Sequence, residues 1–336
     1  MSEVVTFTAG APVWVDVSTT DLDGARSFYT SLFGWEAHAT EDPSAGGYTM
    51  FTRISKYVAA AGGVQSPDQP PAWMIYFGTE DADATARKVE EAGGKVVAPP
   101  FDVFKSGRMA VFQDPTGAFF SVWQPGQHGG FEAAQEPYAY AWTELNTHGI
   151  EQAKSFYQKV FGWGVKSSPM GEGQPSYTEW QLGGESIGGG MEMSSEIPAE
   201  VPPHWMNYFA APDVDALAGR VSELGGRVMM PARDFPGGRY AIVQDPRERS
   251  SASSRWRVDG RPLPRRSAST GDRRRGPGAS REAPGPFPSY LLRLRVEPPR
   301  VPVFFAELER AELDRLERDE LVARFSPGSA FWSSPS

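Results

Sequence analysis

The chain has 336 residues, 40% of them hydrophobic, and a net charge of −9 that is unevenly divided: residues 1–246 carry 15 basic and 30 acidic side chains, and residues 247–336 carry 18 arginines and 12 acids. Cysteine is absent, which excludes disulfides and thiolate metal sites. No signal peptide or membrane span is evident, and the acidic body argues against nucleic acid as a partner. We therefore expect a cytoplasmic protein with neither membrane nor nucleic-acid partners.

Residues 13–123 predict two successive units, each made of a strand, a helix and three further strands. Alternation places Trp14 and Asp16 on one face of the opening strand and three valines on the other. The helix that follows has Asp21 in its first turn and Gly34 as its stop signal. The later strands are expected at 35–40, 47–53, 58–64, 72–78, 95–98, 108–113 and 118–123, with a second helix at 81–92.

The same pattern occurs a second time in the chain. Matching segments follow in the same order at offsets of 128, 132 and 131; they are 13–35 with 140–163, 72–96 with 204–228, and 107–115 with 238–246. Ordered matches at a nearly constant offset indicate a tandem duplication. We therefore expect a first module at 1–126, a second at 127–246, an Arg-, Pro- and Ser-rich tail at 247–336, and a linker around 124–137.

The motifs FYTSLFGW, AWMIYF with EDADA, and QDPTG resemble those of the vicinal oxygen chelate superfamily, which includes glyoxalase I, extradiol dioxygenases and bleomycin-resistance proteins. The resemblance covers about residues 10–246 and is similar in particular to tandem glyoxalase-like proteins of actinomycetes, some in antibiotic pathways of the anthracycline type. It implies an α+β fold of two tandem modules, in each of which paired βαβββ units form a curved mixed sheet around a cavity. The C-terminal region is expected to be irregular.

Enzymes of that superfamily hold a metal with His and Glu on the first, fifth and eighth strands. The resemblance puts these positions on Trp14, Met74 and Ser121 in the first module and on Trp142 and Met206 in the second. None of these is a usual ligand for a hard divalent ion, so we expect neither a metal nor another cofactor.

The expected cavity wall is aromatic and apolar, which suits a flat organic ligand; core packing is the alternative role of each side chain. Its members are Trp14, Met74, Tyr76, Phe119, Trp123, Trp142, Met206 and Tyr208, and Ser121 and His204 are expected to contact the ligand beside them. The repeated Phe-Tyr and Phe-Gly-Trp motifs lie on the first helix of each module and at its end, and they predict packing instead.

His204 and Glu144 are the candidates for catalysis. His204 shares strand parity with Met206 and Tyr208, and Glu144 shares it with Trp142, so both are expected to face the cavity. Such a pair fits a non-standard metal site or acid–base work, with a rim histidine beside a surface carboxylate as the alternative.

The second copy of the repeat departs from the first after Pro246. Insertion of one nucleotide into GC-rich codons would turn Arg-Glu-Arg-Ser-Ser at 247–251 into Arg-Gly-Ala-Val and an apolar residue, which parallels Thr-Gly-Ala-Phe-Phe at 116–120. We therefore expect residues 247–336 to be largely an out-of-frame translation, from a nucleotide lost in the gene or in its recorded sequence, and the second module to lack its last strand. A genuine disordered basic tail is the alternative.

Three functions are compatible with the sequence. The first is a metal-independent protein that binds an aromatic or polyketide small molecule and assists an oxidation step, beside a partner oxygenase, in antibiotic biosynthesis or resistance. The second is a metal-dependent lyase, isomerase or dioxygenase of the same superfamily. The third is an interaction protein whose acidic surface recruits a partner.

Overall fold

The computed structural model describes residues 7–65, 69–169, 175–194, 201–235, 238–246 and 290–294. In the first module it has strands β1 (Pro12–Thr19), β2 (Glu36–Ala39), β3 (Thr49–Arg53), β4 (Lys56–Gly63), β5 (Ala72–Gly78), β6 (Lys95–Val103), β7 (Gly107–Gln113) and β8 (Phe119–Pro125). Its helices are α1 (Leu22–Phe33) and α2 (Ala82–Glu91). The predicted order of strands and helices is confirmed.

The second module repeats this order. Its strands are β9 (Tyr140–Thr147), β10 (Gly164–Pro169), β11 (Ser176–Leu182), β12 (Glu185–Glu192), β13 (His204–Ala210), β14 (Arg227–Phe235) and β15 (Gly238–Gln244), with helices α3 (Ile150–Phe161) and α4 (Val214–Glu223). A further strand, β16 (Tyr290–Leu294), comes from the C-terminal region. Within the described ranges, no helix is both long and apolar enough to cross a membrane.

Each module forms one eight-stranded mixed sheet. The strand order in the first module is β2-β3-β4-β1-β5-β8-β7-β6. The second module has the equivalent order, β10-β11-β12-β9-β13-β16-β15-β14. β1 runs parallel to β4 and antiparallel to β5, so the two βαβββ halves meet at the centre of the sheet. The expected α+β fold of paired units is confirmed.

Local sequence signals set the helix ends. The Asp21 side chain accepts a hydrogen bond from the Gly24 amide and caps the N-terminus of α1. Gly34 ends the helix at φ 68°, a left-handed conformation that costs glycine little. Gly162 ends α3 in the same way at φ 73°.

The two faces of each sheet differ in what covers them. Val15 and Val17 of β1 lie opposite Ile75 and Trp73 of β5, and the Trp73 ring packs 5.3 Å from Tyr29 of α1. This is the helix face. The opposite face of the same strands, which carries Trp14 and Asp16 of β1, has no helix on it in the part of the chain that the structure describes, and it is called here the helix-free face.

The modules interlock through their helix faces. Phe33 of α1 packs 5.4 Å from Phe209 of β13, and Phe161 of α3 packs 5.5 Å from Phe77 of β5. The indole of Trp35 donates to the Tyr138 carbonyl at 2.7 Å. The first helix of each module thus contacts the sheet of the other module through equivalent side chains. The prediction that the Phe-Tyr and Phe-Gly-Trp motifs pack is confirmed.

The repeated QDP motif completes this interlock. Tyr157 of α3 donates its hydroxyl to Asp114 Oδ2 of the first module at 2.9 Å, and Tyr29 of α1 donates to Asp245 Oδ2 of the second at 2.8 Å. Burial raises the pKa of Asp114, an effect that its hydrogen bonds oppose. The motif therefore recurs because each copy accepts a hydrogen bond from the other module.

The place of the eighth strand in the second module is taken by β16. In the first module β8 runs parallel to β5 and antiparallel to β7. β16 does the reverse, antiparallel to β13 and parallel to β15. The backbone of Tyr290–Leu294 thus fills the position in the opposite direction, whereas residues 247–289 and 295–336, on which the expected frame change and tail fall, lie outside the described residues.

Candidate functional site

The predicted site residues of the first module lie together on the helix-free face. Trp14 of β1 is opposite Tyr76 of β5, and Tyr76 is opposite Ser121 of β8. Met74 is two residues from Tyr76 on the same strand and lies opposite Asp16. The sheet register therefore brings all four predicted residues onto three adjacent strands, with Asp16 among them.

Asp16 is the polar centre of this face. Its Oδ2 accepts hydrogen bonds from the hydroxyls of Tyr48 and Tyr76, both at 2.9 Å. Trp14 Nε1 lies 3.4 Å from the Tyr48 hydroxyl. These four side chains, Trp14, Asp16, Tyr48 and Tyr76, are called here the first tetrad.

The tetrad holds a carboxyl group in an environment that favours its neutral form. Burial raises the pKa of Asp16 from 3.8 to about 6, and the two tyrosine hydrogen bonds oppose part of that rise. Burial and the nearby Asp16 charge together raise the pKa values of Tyr48 and Tyr76 well above 10. Both tyrosines therefore remain protonated donors, while Asp16 titrates close to neutrality.

The interdomain linker covers one end of the first tetrad. His128 packs edge-on against Trp14 at a ring distance of 4.6 Å, and Phe131 lies 5.5 Å from the same indole. Burial lowers the pKa of His128, so its ring is neutral at pH 7. Trp14 retains only 3% exposure, which means that its indole is packed under the linker.

Backbone hydrogen bonds hold the linker in this position. The Phe131 amide donates to the Val13 carbonyl at 2.8 Å, and the Glu132 amide donates to the Tyr57 carbonyl at 2.9 Å. The Glu132 carboxylate in turn accepts from the Tyr57 amide. Gly130 has φ 108°, and a Cβ there would clash with the Val13 carbonyl oxygen, so glycine is required for this close approach.

Four side chains of the second module stand at the positions equivalent to the first tetrad. Trp142 lies opposite Tyr208, and Glu144, which takes the place of Asp16, lies opposite Met206. Trp142 Nε1 donates to the Tyr177 hydroxyl at 3.1 Å, as its counterpart does to Tyr48. Trp142, Glu144, Tyr177 and Tyr208 are called here the second tetrad.

The second tetrad differs from the first in the exposure of its tryptophan. Trp142 is half-buried, whereas Trp14 is 3% exposed; the two acids are alike, with Glu144 at 6% and Asp16 at 7%. A Cβ at Gly189 of β12 would collide with the Tyr177 hydroxyl, so this glycine gives the tyrosine room beside Trp142. Gly189 therefore serves the packing of the Tyr177 and Trp142 side chains.

His204 and Glu144, the predicted catalytic pair, occupy the same face but different rows. His204 lies opposite Asn146 of β9, and Met206 separates it along β13 from the row of Glu144. His204 Nδ1 lies 2.9 Å from the Pro202 carbonyl, which fixes the ring at the start of β13. Acid–base work by this pair stays a prediction.

The metal positions that the resemblance implies do not fit a divalent ion. They hold indole, thioether and hydroxyl side chains, and Ser121 is completely buried between Tyr76 and Val111 in the strand register. Among the described residues, no three His, Cys, Asp or Glu side chains come together in a group able to hold a metal. The carboxylate that is present, Asp16, already binds two hydroxyls.

Sequence analysis included Glu144, Tyr76 and Tyr208 but missed Asp16, Tyr48 and Tyr177. Asp16 was placed on the correct face by strand alternation, but it was not assigned to the site. Tyr48 comes directly before β3 and Tyr177 lies on β11, strands that are separated from the opening strand of each module by β4 and β12, so their approach to the site depends on the sheet order. The available signal was the repeat itself, because Trp-x-Asp in the first module matches Trp-x-Glu in the second, with a tyrosine about 33 residues later in each.

Comparison with known proteins agrees with this architecture. The model of the Glyoxalase/Bleomycin resistance protein/Dioxygenase superfamily matches residues 11–122 and 139–248. The anthracycline biosynthesis protein DnrV of Streptomyces peucetius is 40% identical over 256 residues, covering 71% of this chain and 91% of its own. The putative glyoxylase CFP32 of Mycobacterium tuberculosis (strain CDC 1551 / Oshkosh) is 39% identical over 242 residues, covering 70% and 91%.

Solved structures show the same fold at low sequence identity. The Mn(II)-bound glyoxalase from Novosphingobium aromaticivorans aligns with a TM-score of 0.50 at 17% identity, over 72% of this chain and 80% of its own. The 2,3-dioxygenase LapB from Pseudomonas sp. KL28 aligns with a TM-score of 0.50 at 13% identity, over 74% and 90%. At such identities the likeness concerns the fold alone.

Proposed function

The chain belongs to the glyoxalase, bleomycin resistance protein and dioxygenase superfamily, and on that premise we propose that it is a metal-independent binder of a hydrophobic aromatic small molecule. Its place would be in the cytoplasm, as an auxiliary of antibiotic or polyketide biosynthesis or resistance. There it would present the molecule to a partner oxygenase or shield it.

The relatives support the biosynthetic part of this proposal. Two proteins of about 40% identity, DnrV and DauV, are anthracycline biosynthesis proteins of Streptomyces, and each is covered over 91% of its length. Relatives of the same identity carry the name putative glyoxylase, so the pathway does not follow from the family alone.

The observation that carries the ligand class is the aromatic character of the helix-free face in both modules. Each tetrad combines an indole, two phenols and one carboxyl group, and Met74 or Met206 lies opposite the acidic residue in the strand register. Aromatic and thioether side chains gain most from stacking on and covering a flat apolar ring system. Trp142, which is half-buried, is the side chain best placed to contact such a ring.

The donor set supports metal independence. Indole, thioether and hydroxyl groups stand where a divalent ion would need imidazole and carboxylate, and each tetrad contains one carboxyl group, Asp16 or Glu144. A single carboxylate surrounded by phenols suits hydrogen bonding to an organic ligand better than coordination.

The test is ligand binding by the full chain after treatment with a chelator. Planar tricyclic aromatics such as anthraquinone are expected to raise the melting temperature, because a ligand at 100 times its Kd stabilises the folded state by about 2.7 kcal/mol. A saturated steroid of similar size is expected to cause no shift. Absence of any shift across the aromatics would refute the proposal. A shift that vanishes with chelator and returns with one divalent metal would replace it by the metal-dependent enzyme.

A further inference from the structure

We infer that residues 126–139, called here the strap, stay closed over Trp14 only while the His128 ring is neutral, so that proton uptake by His128 opens the strap and uncovers the indole. Access to the first tetrad would then depend on pH. Under the strap Trp14 is 3% exposed, whereas its counterpart Trp142 is half-buried. Such a device is separate from the proposed function, because it depends on contacts within the chain alone.

The His128 ring lies among three aromatic rings from three different strands. Its centroid is 4.6 Å from Trp14 of β1, 5.8 Å from Tyr57 of β4 and 5.8 Å from Trp123 of β8. The residue is half-buried, and within the described chain its Nε2 is a buried atom without a hydrogen-bond partner. A neutral imidazole tolerates this because its proton can stay on Nδ1, whereas an imidazolium carries an N–H at both nitrogens. Protonation would therefore give a charged ring a buried donor that lacks an acceptor.

Burial outweighs the charged groups around His128. Glu132, on the strap itself, favours the charged ring, but burial is the larger effect and lowers the pKa of His128 below its ordinary value of 6.5. β4 contributes the phenol of Tyr57, and two residues along β1 from Trp14 the Asp16 carboxyl accepts from two tyrosines of its own tetrad. The neutral ring is therefore the form that fits the closed strap.

Backbone strain at the far end of the strap favours its release. At its start the strap donates backbone hydrogen bonds to the turn between β6 and β7, where the Lys105 and Ser106 carbonyls accept them. Near its end Gln135 and Tyr138 hold φ at 57° and 63°, a left-handed conformation that disfavours residues with a side chain. Strained positions of this kind persist only where the surrounding contacts hold them. Weakening the contacts of His128 therefore shifts the strap toward the open form.

Hydrogen–deuterium exchange of the full chain at pH 7.5 and pH 5.0, read by mass spectrometry and corrected for intrinsic exchange rates, measures the opening of the strap. Since the pKa of His128 is lower in the closed strap than in the open one, falling pH favours the open form. With the ordinary pKa of 6.5 in the open strap, the opening constant can rise by at most about 30-fold between these pH values. Peptides from residues 126–139 are expected to lose protection by at least about 3-fold at pH 5.0, and peptides from β12 in the second module are expected to keep theirs.

His128→Phe keeps an aromatic ring but takes up no proton, and it is expected to abolish the loss of protection. Because phenyl is larger than imidazole, His128→Gln serves as a second variant with the same expectation, and the melting temperature of each establishes that the fold is retained. His38→Gln, at an exposed histidine of β2, is the matched control and is expected to respond as the unaltered chain does. Equal protection of the strap at the two pH values in the unaltered chain would overturn the inference, and so would a loss of protection that persists in both His128 variants.

Discussion

Asp16→Asn is expected to stabilise the protein at neutral pH and to lose that advantage in acid. The reason is the raised pKa of the buried carboxyl group, about 6 in the folded chain against 3.8 as its ordinary value. Between these values the folded state binds more protons than the unfolded state, so the free energy of unfolding falls as the pH rises through the window. Asparagine keeps the shape and the acceptor for the tyrosines but does not ionise.

The magnitude follows from the width of the window. A shift of about 2 pKa units costs roughly 3 kcal/mol once the group is fully ionised, at about 1.4 kcal/mol per unit. At pH 4.5 only about 1 kcal/mol of this cost has developed. The difference in unfolding free energy between the variant and the unaltered protein should therefore grow by about 2 kcal/mol from pH 4.5 to pH 7.5.

Urea denaturation of both proteins at the two pH values measures this difference. Comparison of variant with parent cancels the contribution of Asp114, whose pKa is also raised by burial. Glu91→Gln, a change at a solvent-exposed acid at the end of α2, serves as the control. Its difference in unfolding free energy from the unaltered protein is expected not to grow between the two pH values. A difference that stays constant with pH, or that shrinks toward neutrality, would refute the assignment of Asp16 as a buried, late-titrating carboxyl group.

Three further predictions concern the interlock, the ligand contact and the C-terminal region. Tyr157→Phe removes the donor to Asp114 and is expected to lower the unfolding free energy by about 1–3 kcal/mol, measurable by calorimetry and contradicted by an unchanged transition. Trp142→Ala or Trp14→Ala should weaken binding of an aromatic ligand by about 1–3 kcal/mol, and unchanged affinity in both would remove them from the site. If residues 247–336 are out of frame, the protein purified from its own source should have a mass well below 36.7 kDa; the full mass would establish the arginine-rich tail.

Much of the fold could be predicted because the signals are local and occur twice. Alternation, helical spacing and the stop at Gly34 each act within a few residues, and the duplication repeats every one of them. The main difference is β6, expected to end at residue 98 but continuing to Val103 through Pro99 and Pro100. β6 is the edge strand of its sheet, where a missing amide donor breaks no ladder, so proline there does not end the strand.

The candidate site was harder to predict because its polar contacts depend on register between distant strands. Asp16 meets Tyr48 across 32 residues and Tyr76 across 60. Single-sequence patterns give the face of a side chain, not its partner on the next strand. The contacts between the modules join residues that are still further apart in sequence, since Tyr29 and Asp245 are separated by 216 residues. Neither motif contains a local signal that identifies its partner.

The two modules form their eighth strand in different ways, and the difference begins where the sequence repeat ends. In the first module the turn at Asp114–Gly117 returns the chain directly as β8, antiparallel to β7, with Gly117 at φ 110°. In the second module 43 residues separate Pro246 from Tyr290, and β16 runs parallel to β15, a direction that a short turn cannot produce. The family match likewise ends at residue 248. Because β13 and β15 both need a partner between them, we propose that the native module closes this gap with a strand encoded immediately after Pro246 in the shifted frame, in the position that β16 fills here.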